Sequence, residues 1–312
     1  MPQKILLIAT PRGFCAGVER AIEILDRTLE RYGSPVYVRN HIVHNTRVVR
    51  DFEAKGAIFV QSIDEIPDGA TAVLSAHGSP PQWKTVLEAR GIRSVDAVCP
   101  LVTKVHREAK KYAEEGYFIL YLGHNGHPEP EGVRGHVAPE SFLLIENEED
   151  AENVSPPSHD KLILLTQTTL SFDDTATIVS ILKRRFSQLV TPATFDVCYA
   201  TQNRQNAVKA LLTQGIDALL VVGSPHSSNS NRLREVGTRA GVVSYMVDDA
   251  DEVDATWFVE KNRIGITSGA SVPDAPLQEV IRKIQTTFPD TEICEMDGMK
   301  ETAYFPLPKE LA

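Results

Sequence analysis

Apolar runs rich in Val, Ile and Leu alternate with helical periodicity along this whole chain. They fall into three groups of four. The first holds KILLIA (4–9), PVYVRN (35–40), AIFV (57–60) and AVLSAH (72–77). The second holds SVDAVC (94–99), YFILYLG (117–123), FLLIEN (142–147) and KLILLTQT (161–168). The third holds ATFDVC (193–198), DALLVVG (217–223), VVSYMVD (242–248) and RIGITSG (263–269). Continuous apolar runs separated by patterns such as VERAIEILDRTLERY (18–32) predict βαβ units and parallel sheets. The expected fold is α/β: three pseudo-threefold-related units around a central site, each a small, mostly parallel four-stranded sheet with flanking helices. The expected boundaries are 1–92, with a tail at 289–312 packing back on it, then 93–190 and 191–288.

The polar residues repeat with the strands. Each group has a cysteine at the end of its first strand: Cys15, Cys99 and Cys198. Beyond each second strand comes a polar turn, holding His44, His127 or Ser227. These lie 29, 28 and 29 residues past the three cysteines. Beyond each fourth strand comes another, holding His77, Thr168 or Ser271. The period of roughly 85–100 residues is that of a domain, not of a solenoid. In parallel α/β sheets, ligands bind beyond the carboxyl ends of the strands, where all these turns lie. A pseudo-threefold arrangement would bring the three cysteines to one point, ringed by the six turns. Three tandem domains with separate crevices is the plainer alternative.

Composition narrows the chemistry. At 312 residues the chain can form two or three compact units. A net charge of −10 and no basic cluster argue against nucleic acid as partner. The opening MPQKILLIAT is too short in its apolar part for a secretory signal, and no run is long enough to span a membrane. A cytoplasmic protein is expected, in which four dispersed cysteines are core residues, nucleophiles or metal ligands rather than a disulfide framework. Cys294, in TEICEMDG, has no place in the repeat and reads as a small apolar residue. The other three head helices, where a thiol pKa falls and a ligand is favoured. Neither zinc-type nor ferredoxin-type local spacing is present, so the repeat alone argues for a shared metal or cluster.

The turns suggest roles. In GHNGHPEPEG (123–132), Pro128 and Pro130 stiffen Glu129, a candidate proton donor, beside His124 and His127. GSPHSSNSNRL (223–233) offers hydroxyls and an amide at a helix start, an anion cradle with no lysine or arginine before Arg232. His41, His106, His136 and His159 have no counterpart across the repeat and read as structural. His226 stands one position early, and its role stays open.

Together PRGFCAGVERA, HNTRVV, SAHG, CPLVTKVH, GHNGHPEPEG, TQTTLS, CYATQNRQ, SSNSNRL and TSGASVP resemble the 4-hydroxy-3-methylbut-2-enyl diphosphate reductases (LytB/IspH family), in order and over essentially the whole chain. The resemblance implies an iron–sulfur oxidoreductase at the last step of the non-mevalonate isoprenoid route. It implies a monomeric trefoil around a [4Fe-4S] cluster held by Cys15, Cys99 and Cys198, with one open iron that takes the substrate alkoxide. His44, His77, His127, Thr168, Ser227, Ser228, Asn229 and Ser271 would contact the diphosphate substrate. Glu129, Thr168 and His127 would handle protons with a bound water. Reduced ferredoxin or flavodoxin would supply electrons. Pro225-His226 is the one departure, and it bears on local loop shape. A non-catalytic iron–sulfur carrier and a diphosphate-binding module with structural cysteines are the competing readings. A carrier has no need of the Ser-rich turn or Glu129.

Overall fold

The protein is described from a computed structural model, which covers residues 3–157, 160–192 and 196–312. The strands are β1 (Ile5–Ile8), β2 (Val36–Arg39), β3 (Ala57–Val60), β4 (Thr71–Leu74), β5 (Arg93–Asp96), β6 (Phe118–Leu122), β7 (Phe142–Ile145), β8 (Leu162–Thr166), β9 (Leu189–Val190), β10 (Ala218–Val222), β11 (Val243–Val247), β12 (Arg263–Ser268) and β13 (Glu292–Glu295). The helices are α1 (Ala16–Tyr32), α2 (Thr46–Ala54), α3 (Pro81–Ala89), α4 (Pro100–Glu114), α5 (Pro128–Arg134), α6 (Glu148–Asn153), α7 (Phe172–Arg185), α8 (Tyr199–Thr213), α9 (Ser228–Arg239) and α10 (Asp274–Thr287).

The strands form three sheets, ordered β3-β2-β4-β5, β7-β6-β8-β9 and β11-β10-β12-β1-β13, and the pairings among them are parallel. Burial explains the composition. β8 and β10 are buried at every residue. Helices must therefore cover both faces of their sheets, which is why these strands are continuously apolar rather than alternating. Leu220, Val222 and Ile266 pack on one face of the five-stranded sheet, and Leu219, Val221 and Leu7 on the other. The helices follow the same logic. On α1 the buried positions Ala21, Ile24, Leu25 and Thr28 share one stripe, while Glu19, Glu23 and Glu30 face water. Gly33, at φ +77°, ends that helix in the left-handed region.

The strand grouping read from the sequence needs correction. Each sheet takes the second, third and fourth strands of one group, and in two of the three sheets the next strand comes from the following group, the first group following the third. Thus β5 joins β4, and β1 joins β12. β1 buries Leu6, Leu7 and Ile8, so it needs neighbours on both sides and has them in β12 and β13. The expected strand at 193–198 lies partly outside the described residues, and Asp196 to Cys198 are not in a strand. The two-residue β9 fills that edge instead. β13, unpredicted, makes the third sheet five-stranded.

Two compact units result. The first comprises Met1–Val18, His44–Val48 and Tyr199–Tyr304 and holds the five-stranded sheet. The second comprises Glu19–Val43, Val49–Cys198 and Phe305–Ala312 and holds both four-stranded sheets. Among the described residues no helix is long and apolar enough to cross a membrane.

Candidate functional site

Cys15, Cys99 and Cys198 each directly precede a helix: α1, α4 and α8. Each backbone N–H donates to a carbonyl two residues past a strand end. Cys15 bonds Ala270 beyond β12 (3.3 Å), Cys99 bonds Ala76 beyond β4 (3.0 Å) and Cys198 bonds Thr168 beyond β8 (2.9 Å). The three positions are therefore structurally equivalent. None of the three is in a disulfide. Burial pushes the Cys15 thiol up, while the Arg204 guanidinium and the N–H groups of Val18 and Gly17 act against it. A set of thiols at helix starts suits a soft metal or an iron–sulfur cluster, which binds the thiolate form.

The same bonds refine the repeat. Thr168 matches Ala76 and Ala270, so His77 and Ser271 match Thr169, one position later than the sequence spacing suggested. The turns after the second strands are helix caps. His127 Nδ1 accepts from the Glu129 N–H (3.2 Å), and Ser227 Oγ from the Ser230 N–H (3.3 Å). In the first repeat Asn45, not His44, caps, with Oδ1 accepting from the Val48 N–H (2.9 Å). His44 lies just before it, and its carbonyl accepts from Ser271 Oγ (2.9 Å).

Glu129 is the second residue of α5 and 1% exposed. Its Oε1 accepts the Thr168 N–H at 2.8 Å, and its Oε2 accepts the Thr168 hydroxyl at 3.0 Å. Tyr121 Oη donates to Oε1 at a longer 3.4 Å. Burial pushes its pKa up to about 7 against these bonds, which favour the charged form. A carboxyl that holds and releases its proton near neutrality is suited to general acid work. Thr168 joins this acid to Cys198, bonding Glu129 with its N–H and hydroxyl and Cys198 with its carbonyl. His127, whose Nδ1 accepts a bond, carries its proton on Nε2 when neutral. The His127 ring meets the His77 ring edge-on at 5.5 Å.

At the start of α9, Ser227, Asn229 and Ser230 are buried, and Ser228 is half-buried. Asn229 Oδ1 accepts the Ala270 N–H (2.9 Å). Asn229 Nδ2, Ser230 Oγ, Thr267 Oγ1 and Ser268 Oγ are buried with no partner within the described protein. Leaving such groups dry costs about 1–3 kcal/mol each, so a ligand's acceptor oxygens suit them. A Cβ on Gly223 or Gly269 would strike Ser230 Oγ, so glycine keeps that hydroxyl in place. All four donors are neutral, and Asn229 and Ser230 sit at the N-terminus of α9, an arrangement suited to an anion.

Other expectations resolve simply. Cys294 lies in β13 opposite Leu7, packed with the core on that face. His41 packs edge-on against Phe59. His106 is buried beside the His136 ring (4.5 Å), and burial drives its pKa down to about 3. His159 lies outside the described residues. Pro225 and His226 are exposed, and the Pro225 carbonyl accepts from Asn231 Nδ2 (2.7 Å), which sets the loop's shape. Sequence reasoning missed Tyr121, hidden in an apolar strand. It also missed Asp196, whose Oδ2 accepts the Thr166 N–H (3.1 Å). A lone acid inside the run ATFDVC was the available signal.

Fold and side chains define an α/β protein of three matched parallel sheets, with a buried acid, a helix start lined with buried neutral donors and three equivalent cysteines. The family model described as "LytB protein" matches residues 6–285, and the chain belongs to that family. It is 50% identical over 306 residues to the 4-hydroxy-3-methylbut-2-enyl diphosphate reductase of Polaromonas sp. (strain JS666 / ATCC BAA-500), covering 98% of this chain and 91% of that one. It is 49% identical over 311 residues to the protein of the same name from Azoarcus sp. (strain BH72), covering 100% and 99%. Among solved structures, the E-1-hydroxy-2-methyl-but-2-enyl-4-diphosphate reductase from Plasmodium falciparum matches with a TM-score of 0.95 and 36% identity, over 99% of this chain and 97% of that one. A structure named as (E)-4-hydroxy-3-methyl-but-2-enyl diphosphate reductase, the terminal enzyme of the non-mevalonate pathway, matches at 0.64 with 28% identity, over 91% and 99%.

Proposed function

We propose that this chain reduces (E)-4-hydroxy-3-methylbut-2-enyl diphosphate to isopentenyl diphosphate and dimethylallyl diphosphate, the last step of the non-mevalonate isoprenoid route. The observation that carries the reading is the name its relatives share, at about half identity over nearly the whole chain. The allylic C–O bond breaks, two electrons and two protons enter, and the oxygen leaves as water. One proton goes to the departing hydroxyl and one to an end of the allyl fragment.

The donor set fits an iron–sulfur group: three thiols in equivalent helix-start positions. Cys15, Cys99 and Cys198 would hold a [4Fe-4S] cluster. When bound, it would supply electrons and an iron open to the substrate's oxygen. The chain's own residues supply the rest. Ser227, Ser228, Asn229 and Ser271, with His44, His77 and His127, bind the diphosphate. The neutral hydroxyl and amide donors suit a dianionic group that must also be released. Glu129 carries the proton for the leaving oxygen, and its pKa near 7 keeps that proton present at neutral pH. Thr168 holds both oxygens of Glu129, contacts the substrate and orients the acid. His127 caps the same helix and offers its Nε2–H. The protein acts as a cytoplasmic monomer fed by reduced ferredoxin or flavodoxin.

The test is anaerobic turnover of the substrate by protein loaded with iron and sulfide, with a reduced viologen as donor. Formation of both five-carbon diphosphates is expected. A loaded protein that converts none of the substrate overturns the reading.

A further inference from the structure

Each helix that begins at one of the three cysteines carries a cation in its first two turns: Arg20 on α1, Lys104 on α4 and Arg204 on α8. Each cation reaches the approach to a different cysteine. Arg20 Nη1 donates to the Val98 carbonyl (3.0 Å), immediately before Cys99. Lys104 Nζ donates to Asp196 Oδ1 (2.9 Å), two residues before Cys198. Arg204 donates to the Gly13 carbonyl through Nε (3.1 Å) and Nη2 (2.7 Å), and to the Phe14 carbonyl (3.1 Å), immediately before Cys15. The relation runs from the first cysteine's helix to the second, the second's to the third, and the third's back to the first.

We propose that Arg20, Lys104 and Arg204 are positioning residues, each clamping the loop that presents the next cysteine of the cycle. The proposal rests on reading those cysteines as ligands.

Three observations support it. The clamped groups are loop groups beside the cysteines, and each accepts a hydrogen bond from the cation's side chain. Gly13 has φ +68°, and its carbonyl is turned so that two guanidinium nitrogens reach it. The cations are also anchored from behind. Arg204 is fully buried and pairs with Glu301 in the C-terminal segment (3.1 Å), whose carboxylate also accepts from Asn203 (3.0 Å). Arg20 donates a second bond to the Pro306 carbonyl (2.8 Å). Lys104 pairs with Glu108 (3.3 Å), while Asp196 ties the loop to the end of β8 through the Thr166 N–H. Finally, the cations act as donors rather than as net charge: Asp196 and Glu108 offset Lys104, and Glu301 offsets Arg204, so what each supplies to its loop is a fixed hydrogen bond.

The test is peptide-resolved hydrogen exchange on the full chain without metal, followed by loading with iron and sulfide. Arg20→Met is expected to speed exchange in peptides containing Cys99, Lys104→Met in those containing Cys198 and Arg204→Lys in those containing Cys15, each on the order of tenfold. Arg204→Lys retains the charge and loses only the planar fork, so the half-buried Glu301 keeps a partner. Lys104→Arg should restore the slow exchange if Lys104→Met folds poorly. Faster exchange at the helix's own cysteine, or an even rise across the chain, overturns the clamps. After loading, each variant should lose its cluster to air faster than wild type and show a shifted EPR signal when reduced. Variants that load, persist and resonate like wild type also overturn the proposal. A wild type that takes up no iron or sulfide instead overturns the ligand reading, and the exchange data tell the two failures apart.

Discussion

The starts of α5 and α9 are the same device with one functional group exchanged. Both helices follow the second strand of their repeat, β6 and β10, and both are capped by the side chain just before them, His127 and Ser227. In both, the second helical residue sends a side-chain oxygen to a backbone N–H two residues past a strand end: Glu129 to Thr168 at 2.8 Å and Asn229 to Ala270 at 2.9 Å. In both, the carbonyl of the N–H donor accepts a cysteine N–H: Thr168 from Cys198 and Ala270 from Cys15. The difference lies in the atom left over. Glu129 keeps an oxygen that the Thr168 hydroxyl holds, and so it can carry a proton. Asn229 keeps a buried Nδ2 donor with no partner in the described protein, and so it can hold an anion. In the first repeat the matching residue is Arg47, which pairs with Glu279 (2.7 Å). A repeated backbone can thus divide labour by changing one side chain in each copy.

That comparison can be broken from either side. The largest effect is expected from Glu129→Gln, which makes the second copy resemble the third. Turnover should fall roughly a hundred- to ten-thousand-fold, with iron content unchanged. Near-normal turnover would remove Glu129 from the proton path. Asn229→Asp makes the reverse exchange and sets a carboxylate against the diphosphate. KM should rise about tenfold or more while kcat changes less, and an unaltered KM would sever Asn229 from substrate. Thr168→Val keeps the backbone bond to Glu129 and removes only the hydroxyl. A loss of about tenfold in kcat is expected, since one charge-assisted bond is gone.

The acid also leaves a thermodynamic trace. Burial raises Glu129 from the usual 4.5 to about 7, so between those values the native state keeps a proton that the unfolded chain releases. Its contribution to stability must then fall as pH rises through that window, by up to about 1.4 kcal/mol per pH unit. Denaturant midpoints should show this slope in wild type and a flatter one in Glu129→Gln; identical slopes would mean the carboxyl titrates normally. The smallest effect is expected from Cys294→Ser, on a strand that packs on the core. Iron content and turnover should both match wild type, and a loss of iron would admit a fourth thiol to the site.

Much of this is legible in the sequence. Strand type, the equivalence of Cys15, Cys99 and Cys198, the stiffened Glu129 and the Ser-rich turn all follow from local pattern. Apolar periodicity, proline stiffness and helix capping act over a few residues, and the chain's order displays them directly. The threefold repeat then extended that local information across the molecule.

What stayed hidden depends on partners far away in the chain. Nothing in KILLIA says that β1 pairs with β12 and β13 rather than with β4, because its apolar residues would suit any neighbour. Spacing placed Thr168 level with His77 and Ser271, and only the bond from the Cys198 N–H shifts it by one position. The prolines on either side marked Glu129 as a candidate proton donor but did not set its pKa. Its proton affinity arises from burial and from Thr168, 39 residues away. Residue types and their rhythm are properties of the chain, whereas edge pairing, burial and pKa belong to whatever the fold brings alongside.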